Sequence, residues 1–309
     1  IKDLIASTYL QQEAGEVENS LATAKATIDG DATLNPDNHY SGILSGYETT
    51  LTGLKASYST AKYSEITTKK AELDTLKSNI EKVVPDAQEN YQKYQAQLAN
   101  QKKNKADWAK IYSEVGALYS GEQFAGAQAL YQGQLNDCLK VINDYDAEIE
   151  SKYKSGESAK FATEDYNTKI AENKEAMEAI SKAARDNRTT YDSQTERVET
   201  LNTTYTDAVD AIQAQIDDVT AKIAAAEEGT DTSDLTDKKT SLETQMTELT
   251  GVKTRIDALD TAVGEKVNEG TSVEYDDTFT QEFGDIQQAI SYILSSANET
   301  YDEAISAHN

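Results

Sequence analysis

The sequence predicts an all-α fold, an elongated antiparallel helical bundle or coiled coil with one very long spine helix. Three observations predict it. Only Pro36 and Pro85 interrupt 309 residues. Apolar side chains recur at mixed spacings of three and four, as in Val198, Leu201, Tyr205, Ala208, Ile212, Ile216, Val219, Ile223 and Ala226, which keeps one side chain per turn on a single stripe. The apolar fraction is 38%, with four Phe and one Trp, Trp108. That is too little for a thick globular core and enough for a narrow seam between helices. Low hydropathy with high charge also describes disorder, but disordered chains do not keep such a stripe for tens of residues.

Seven helices follow in order. The first covers about residues 1–28, with Leu4, Val17, Leu21 and Ile28 inward. A loop with Gly30 and Pro36 leads to the second, about 42–84, striped by Tyr47, Leu51, Leu54, Tyr58, Leu73, Leu76 and Ile80. Pro85 ends or kinks it, because proline lacks a backbone donor and clashes with the preceding turn. Pro85-Asp86 would then open the third helix, about 86–119. Its polar middle, Gln101 to Lys105, is expected to contact little. Ser120-Gly121 breaks the chain before the fourth helix, about 122–154, and Ser155-Gly156 closes that one. The fifth, about 158–228, is the spine. Gly229 caps it, and Thr232 or Ser233 caps the start of the sixth, about 234–268. A loop holding Gly270 and Tyr275-Asp276-Asp277 precedes the seventh, about 278–307.

Lengths suggest a layout. Tight turns at both ends of the fifth helix force antiparallel neighbours, so the fourth lies along its first half and the sixth along its second. Two parts result, 1–157 and 158–309, with the long helix shared between them. Counting outward from the turn places Ile216 in a layer with Met246, near Leu242 and Leu249, while Asp217 and Asp218 point outward. No repeat of fixed period is visible.

The formal charge of −26 repels phosphate backbones and anionic membrane surfaces, so nucleic acid is a poor partner. Arginine is confined to Arg185, Arg188, Arg197 and Arg255. Cys138 is the sole cysteine, which excludes an intrachain disulfide. It falls on an apolar stripe and reads as a small core hydrophobe. No apolar run approaches the ~18 residues that span a membrane, so membrane insertion is not expected. The chain opens at Ile1, already in helical register, which reads as a mature or excised form.

Chemistry is sparse. His39 and His308 are the only histidines, and no CxxC, HExxH, P-loop or GxGxxG is present. No catalytic residue and no cofactor is expected. The best ligand candidate is the loop from Asp29 to Asn38, where Asp29, Asp31, Asn35 and Asp37 group hard oxygen donors as calcium sites do. Leu34 takes the place an EF-hand gives to glycine, and no glutamate follows at the twelfth position, so an Asx-capped turn competes with a metal site. Eighteen tyrosines could suggest a carbohydrate surface, yet many fall on the stripe and read as core. Asn187, Asn202 and Asn298 each open an Asn-x-Thr triplet on a helix.

The stretches LKASYSTAKYSEITTKKAELDTLKSNIEK and AIQAQIDDVTAKIAAAEEG resemble the coiled-coil portions of secreted or cell-surface bacterial proteins, notably lipoproteins of gut Bacteroidota. The resemblance implies export and a spacer or partner-binding role. A second resemblance is to long-helix pore-forming toxins, although their strongly apolar hairpin is missing here. The expected function is a non-enzymatic structural or protein-interaction module, with a protein partner or self-association. The alternatives are a membrane-active helical toxin, using the apolar face of Phe279, Phe283, Ile286, Ile290, Tyr292 and Ile293, and an enzyme built on carboxylates of raised pKa.

Overall fold

The computed structural model describes residues 1–308, with side chains for residues 1–307. Among these, the chain forms seven α-helices, short 3-10 turns and no strand: α1 (Lys2–Gly30), α2 (His39–Tyr58), α3 (Ile66–Leu118), α4 (Ala125–Lys154), α5 (Thr163–Ala225), α6 (Ser233–Glu269) and α7 (Ser272–His308). The fold class is all-α, as the stripe predicts.

Several boundaries differ from the sequence reading. The expected helices 42–84 and 86–119 are partitioned elsewhere. The break falls at 59–65, and α3 runs through Pro85 without stopping. Pro85 sits on the exposed face, between buried Val83 and Ala87. The carbonyl it deprives of a helical partner belongs to Glu81, an exposed residue, and the buried neighbours hold the helical course. The break at 59–65 carries neither Gly nor Pro. Its cause is tertiary: Asp3 of α1 accepts the Tyr63 backbone N–H at 2.8 Å, while Glu65 accepts that of Lys62 at 3.0 Å. At the other end, α7 begins at Ser272 rather than 278. Gly270, at φ 76°, ends α6 tightly, and Glu274 in the first turn suits the positive end of the new helix. The spine helix α5 starts at Thr163, after a 3-10 turn over Ser158–Lys160, and ends at Ala225. Gly229 lies in the following loop at φ 94°, and Asp231 accepts the Ser233 N–H at 2.9 Å.

The chain divides into two compact units, each discontinuous: residues 1–109 with 137–175, and residues 110–136 with 176–309. The division expected at 157/158 is a single cut, whereas α3, α4 and α5 each contribute residues to both units.

In the first unit, Leu10, Val17, Leu21 and Ile28 of α1 pack with Leu44, Leu51 and Tyr58 of α2 and with Leu73, Leu76 and Ile80 of α3. Surface ion pairs flank this seam, including Lys70–Glu13 at 2.9 Å and Lys55–Glu18. Exposed pairs of this kind contribute little each, so apolar burial carries the stability. A second cluster joins Ile149, Phe161 and Tyr166.

In the second unit, one cluster unites Leu201, Ala208, Ile212 and Val219 of α5, Leu235, Leu242, Leu249, Ile256 and Val263 of α6, and Phe279, Ile286, Ile290 and Ala297 of α7. The α6 positions repeat every seven residues, the interval of a coiled-coil seam. Ile216, Leu242 and Leu249 are buried in this cluster and Met246 packs at its margin. Asp217 is exposed, as expected. Asp218 is not free: it accepts the Tyr301 hydroxyl at 2.9 Å and pairs with Lys222 at 3.0 Å. Among the described residues no helix is long and apolar enough to cross a membrane.

Candidate functional site

In the loop from Asp29 to Asn38, Asp31 and Asn35 spend side-chain oxygens on nearby backbone N–H groups. Asp31 Oδ1 accepts the Thr33 N–H at 2.9 Å and the Thr33 hydroxyl at 2.7 Å, bonds that hold its carboxyl below the usual carboxylate range. Asn35 Oδ1 accepts the Ser41 N–H at 3.1 Å, and Asn35 Nδ2 donates to the Ser41 hydroxyl at 3.1 Å. Asp37 adopts a left-handed φ of 54°. Asp29 lies in the last turn of α1, outside the loop proper. Among the described residues, no three His, Cys, Asp or Glu side chains converge as metal ligands. The arrangement is an Asx-type turn that starts α2.

The most ordered polar chemistry lies inside the helical seams. In the first unit, Asn90 of α3 is 4% exposed, at a position where the stripe would otherwise place an apolar residue. Its Nδ2 donates to the Tyr153 carbonyl at 3.0 Å, and its Oδ1 accepts the Ser158 N–H at 2.9 Å. One amide thus grips the backbone on both sides of the turn that ends α4. One heptad on, Gln97 Nε2 donates to the Ser158 carbonyl at 3.0 Å. Gln101, Asn104 and Lys105, from the stretch expected to contact little, form the next layer, while Lys102 and Lys103 are exposed as expected. Gln101 is 3% exposed. It donates to the Ile142 carbonyl at 2.7 Å and to Asp146 at 2.6 Å, and accepts the Tyr166 hydroxyl at 2.8 Å. Asn104 donates to the same hydroxyl at 2.9 Å, and Lys105 pairs with Asp146 at 2.5 Å. A polar run at seam positions satisfies itself across the seam instead of turning to water.

In the second unit, Asn187 of α5 is 1% exposed. Its Nδ2 donates to the Val267 carbonyl at 3.0 Å and to the Tyr119 hydroxyl at 3.1 Å, and its Oδ1 accepts the Ser272 N–H at 2.9 Å. This buried amide has no room for a glycan, although it opens an Asn-x-Thr triplet. Gln194 Nε2 donates to the Ser272 carbonyl at 3.2 Å and to Asp276 at 3.0 Å. Arg188 closes the end of α3, donating to the Leu118 carbonyl at 2.5 Å with its guanidinium 4.2 Å from the Phe124 ring centre. Tyr119 donates to the Ala184 carbonyl at 2.6 Å, and burial holds its phenol protonated above the usual range.

The remaining candidates are accounted for locally. The proposed apolar face of α7 is core: Phe279 and Ile286 are fully buried and Ile290 and Ile293 nearly so, while Tyr292 points to solvent. Among the described residues, the carboxylates that shift all shift down. Lys160 and Lys152 lower Glu157, Lys222 and Tyr301 lower Asp218, and Lys266 lowers Glu269. Cys138 is buried, and burial followed by the Asp137 charge pushes its thiol up. Native protein treated with a maleimide at pH 8 is therefore expected to label about tenfold or more slowly than urea-unfolded protein, since only exposed thiolate reacts. Equal rates would place the thiol at the surface.

Sequence reasoning does not find Asn90, Gln97 and Gln194, and it finds Asn187 only as an Asn-x-Thr triplet. Their signal is an amide residue standing on an apolar stripe, which in a coiled coil specifies register at some cost in stability. No family model matches the chain, and no curated protein or solved structure matches it.

Proposed function

We propose that this chain is a non-enzymatic structural or protein-interaction module, a helical spacer or scaffold of an exported bacterial surface protein. The observation that carries the reading is where the buried amides point. Asn90 and Asn187 direct donors and acceptors, and Gln97 and Gln194 their donors, at the backbone of neighbouring turns. Buried polar groups used this way set how helices align, which is what a spacer requires of its interior. Export rests on the textural resemblance to bacterial surface coiled coils. The acidic surface suits a protein partner or a second copy better than nucleic acid.

A spacer must hold one geometry. With Cys138 replaced by Ala, fluorophore pairs within the second unit, on T203C of α5 and T247C of α6, both exposed positions, are expected to give a single narrow distance distribution. A broad or multiple distribution would overturn the spacer reading. Dye release from vesicles of phosphatidylcholine and phosphatidylglycerol at low protein concentration would favour the membrane-active alternative.

A further inference from the structure

We infer that the chain is internally duplicated around one device, a register lock present once in each unit. The clamping helices share a string. Ala87, Asn90, Tyr94 and Gln97 of α3 match Ala184, Asn187, Tyr191 and Gln194 of α5 at identical spacing. Both alanines are buried, at 1% and 0% exposure. The clamped turns share another string: Lys152, Gly156 and Ser158 match Lys266, Gly270 and Ser272.

The geometry matches atom for atom. Gly156 and Gly270 take φ of 71° and 76°. Their N–H groups donate to the Tyr153 and Val267 carbonyls at 3.1 and 3.2 Å. The next residues, Glu157 and Thr271, donate to the Lys152 and Lys266 carbonyls at 2.7 and 2.9 Å. Each turn is gripped by the same four groups: asparagine to a carbonyl, asparagine from the serine N–H, glutamine to the serine carbonyl, and glycine in the left-handed region. A Cβ on Gly156 would lie 3.1 Å from the Tyr40 hydroxyl and one on Gly270 3.2 Å from that of Tyr131, so a tyrosine closes each turn. Even the unpartnered atoms coincide, Gln97 Oε1 with Ser158 Oγ and Gln194 Oε1 with Ser272 Oγ. Shared α-helical packing predicts none of these side-chain identities.

The lock answers a weakness of heptad seams. Sliding one helix by seven residues past its neighbour restores apolar contact along the whole stripe. The same slide carries Asn90 away from Ser158, and Asn187 away from Ser272, and strands buried backbone groups. Both arms of the second copy are longer, Asn187 to Ala225 against Asn90 to Leu118 and Ser233–Glu269 against Ala125–Lys154, which is why no fixed period shows in the sequence.

Amide hydrogen exchange on the full chain tests the inference. Asn90→Ala is expected to speed exchange at Ser158 by about tenfold or more and leave Ser272 protected, and Asn187→Ala to do the reverse. Equivalence of the turns is tested by transplanting one into the other: the combined K154N, S155E and E157T changes are expected to leave Ser158 as protected as in the parent. Should an alanine variant fail to fold, Gln97→Leu and Gln194→Leu remove only glutamine-borne contacts, and exchange in peptides 153–160 and 267–274 carries the same comparison. A clamp variant that leaves its own turn as protected as the parent, or a transplanted turn that loses protection, would overturn the inference.

Discussion

Ile216→Asp is expected to unfold the α5–α6–α7 cluster, with a loss on the order of 4 kcal/mol. Ile216 is 8% exposed and sits in the cluster that holds Ile212, Val219, Leu242 and Leu249. A carboxylate there loses its hydration and gains no cation within the seam, so it must ionise at a desolvation cost or stay protonated. A loss of that size is a large share of the ~5–15 kcal/mol that typically holds a domain folded. Thermal melts followed by circular dichroism measure it. Asp217→Ala is the matched control, because Asp217 is exposed and its partner Gln213 lies on its own helix. A parent-like melt for Ile216→Asp would require this stretch of α5 to lie outside the seam.

Phe279→Ala is expected to cost about 3–5 kcal/mol, the range for emptying a buried aromatic site. The ring is fully buried. It lies 6.2 Å from the Phe283 ring and 6.4 Å from Tyr275, with the Arg197 guanidinium 4.8 Å from its centre. Truncation would remove the contact surface of all three at once. Denaturant titration gives the change in midpoint, and a shift below about 1 kcal/mol would mean that this face of α7 is not core. The same variant bears on the membrane-active alternative. A residue that locks the folded core is released only by unfolding, so Phe279→Ala is expected to lower stability without creating vesicle leakage.

Much of this architecture was legible without coordinates. Of the stripe from Val198 to Ala226, the structure buries Val198, Leu201, Ala208, Ile212, Ile216 and Val219 and packs Tyr205 and Ile223 at the core margin, while Ala226 lies beyond the end of α5. Gly121, Gly156 and Gly270 marked turns, and each has the positive φ that glycine accepts without strain. Other features were illegible for physical reasons. Pro85 looks like a terminator because local sterics disfavour it, yet its exposed placement lets α3 continue. The break at 59–65 depends on Asp3, sixty residues away, which no local pattern reveals. Gln101 to Lys105 reads as a solvated run because polarity alone does not tell a partnered side chain from a hydrated one.

Period and composition thus specify an all-helical chain, most of its seam positions and a strongly acidic surface, though Leu4, placed inward by the stripe, is 72% exposed. Those properties follow from burying one face of each helix. Only the tertiary structure decided the alignment of one helix against the next. A heptad seam is nearly degenerate under seven-residue shifts, so apolar burial cannot choose among registers. The choice falls to a few buried amides, and their role appears only when Asn90 is seen against Ser158 and Asn187 against Ser272.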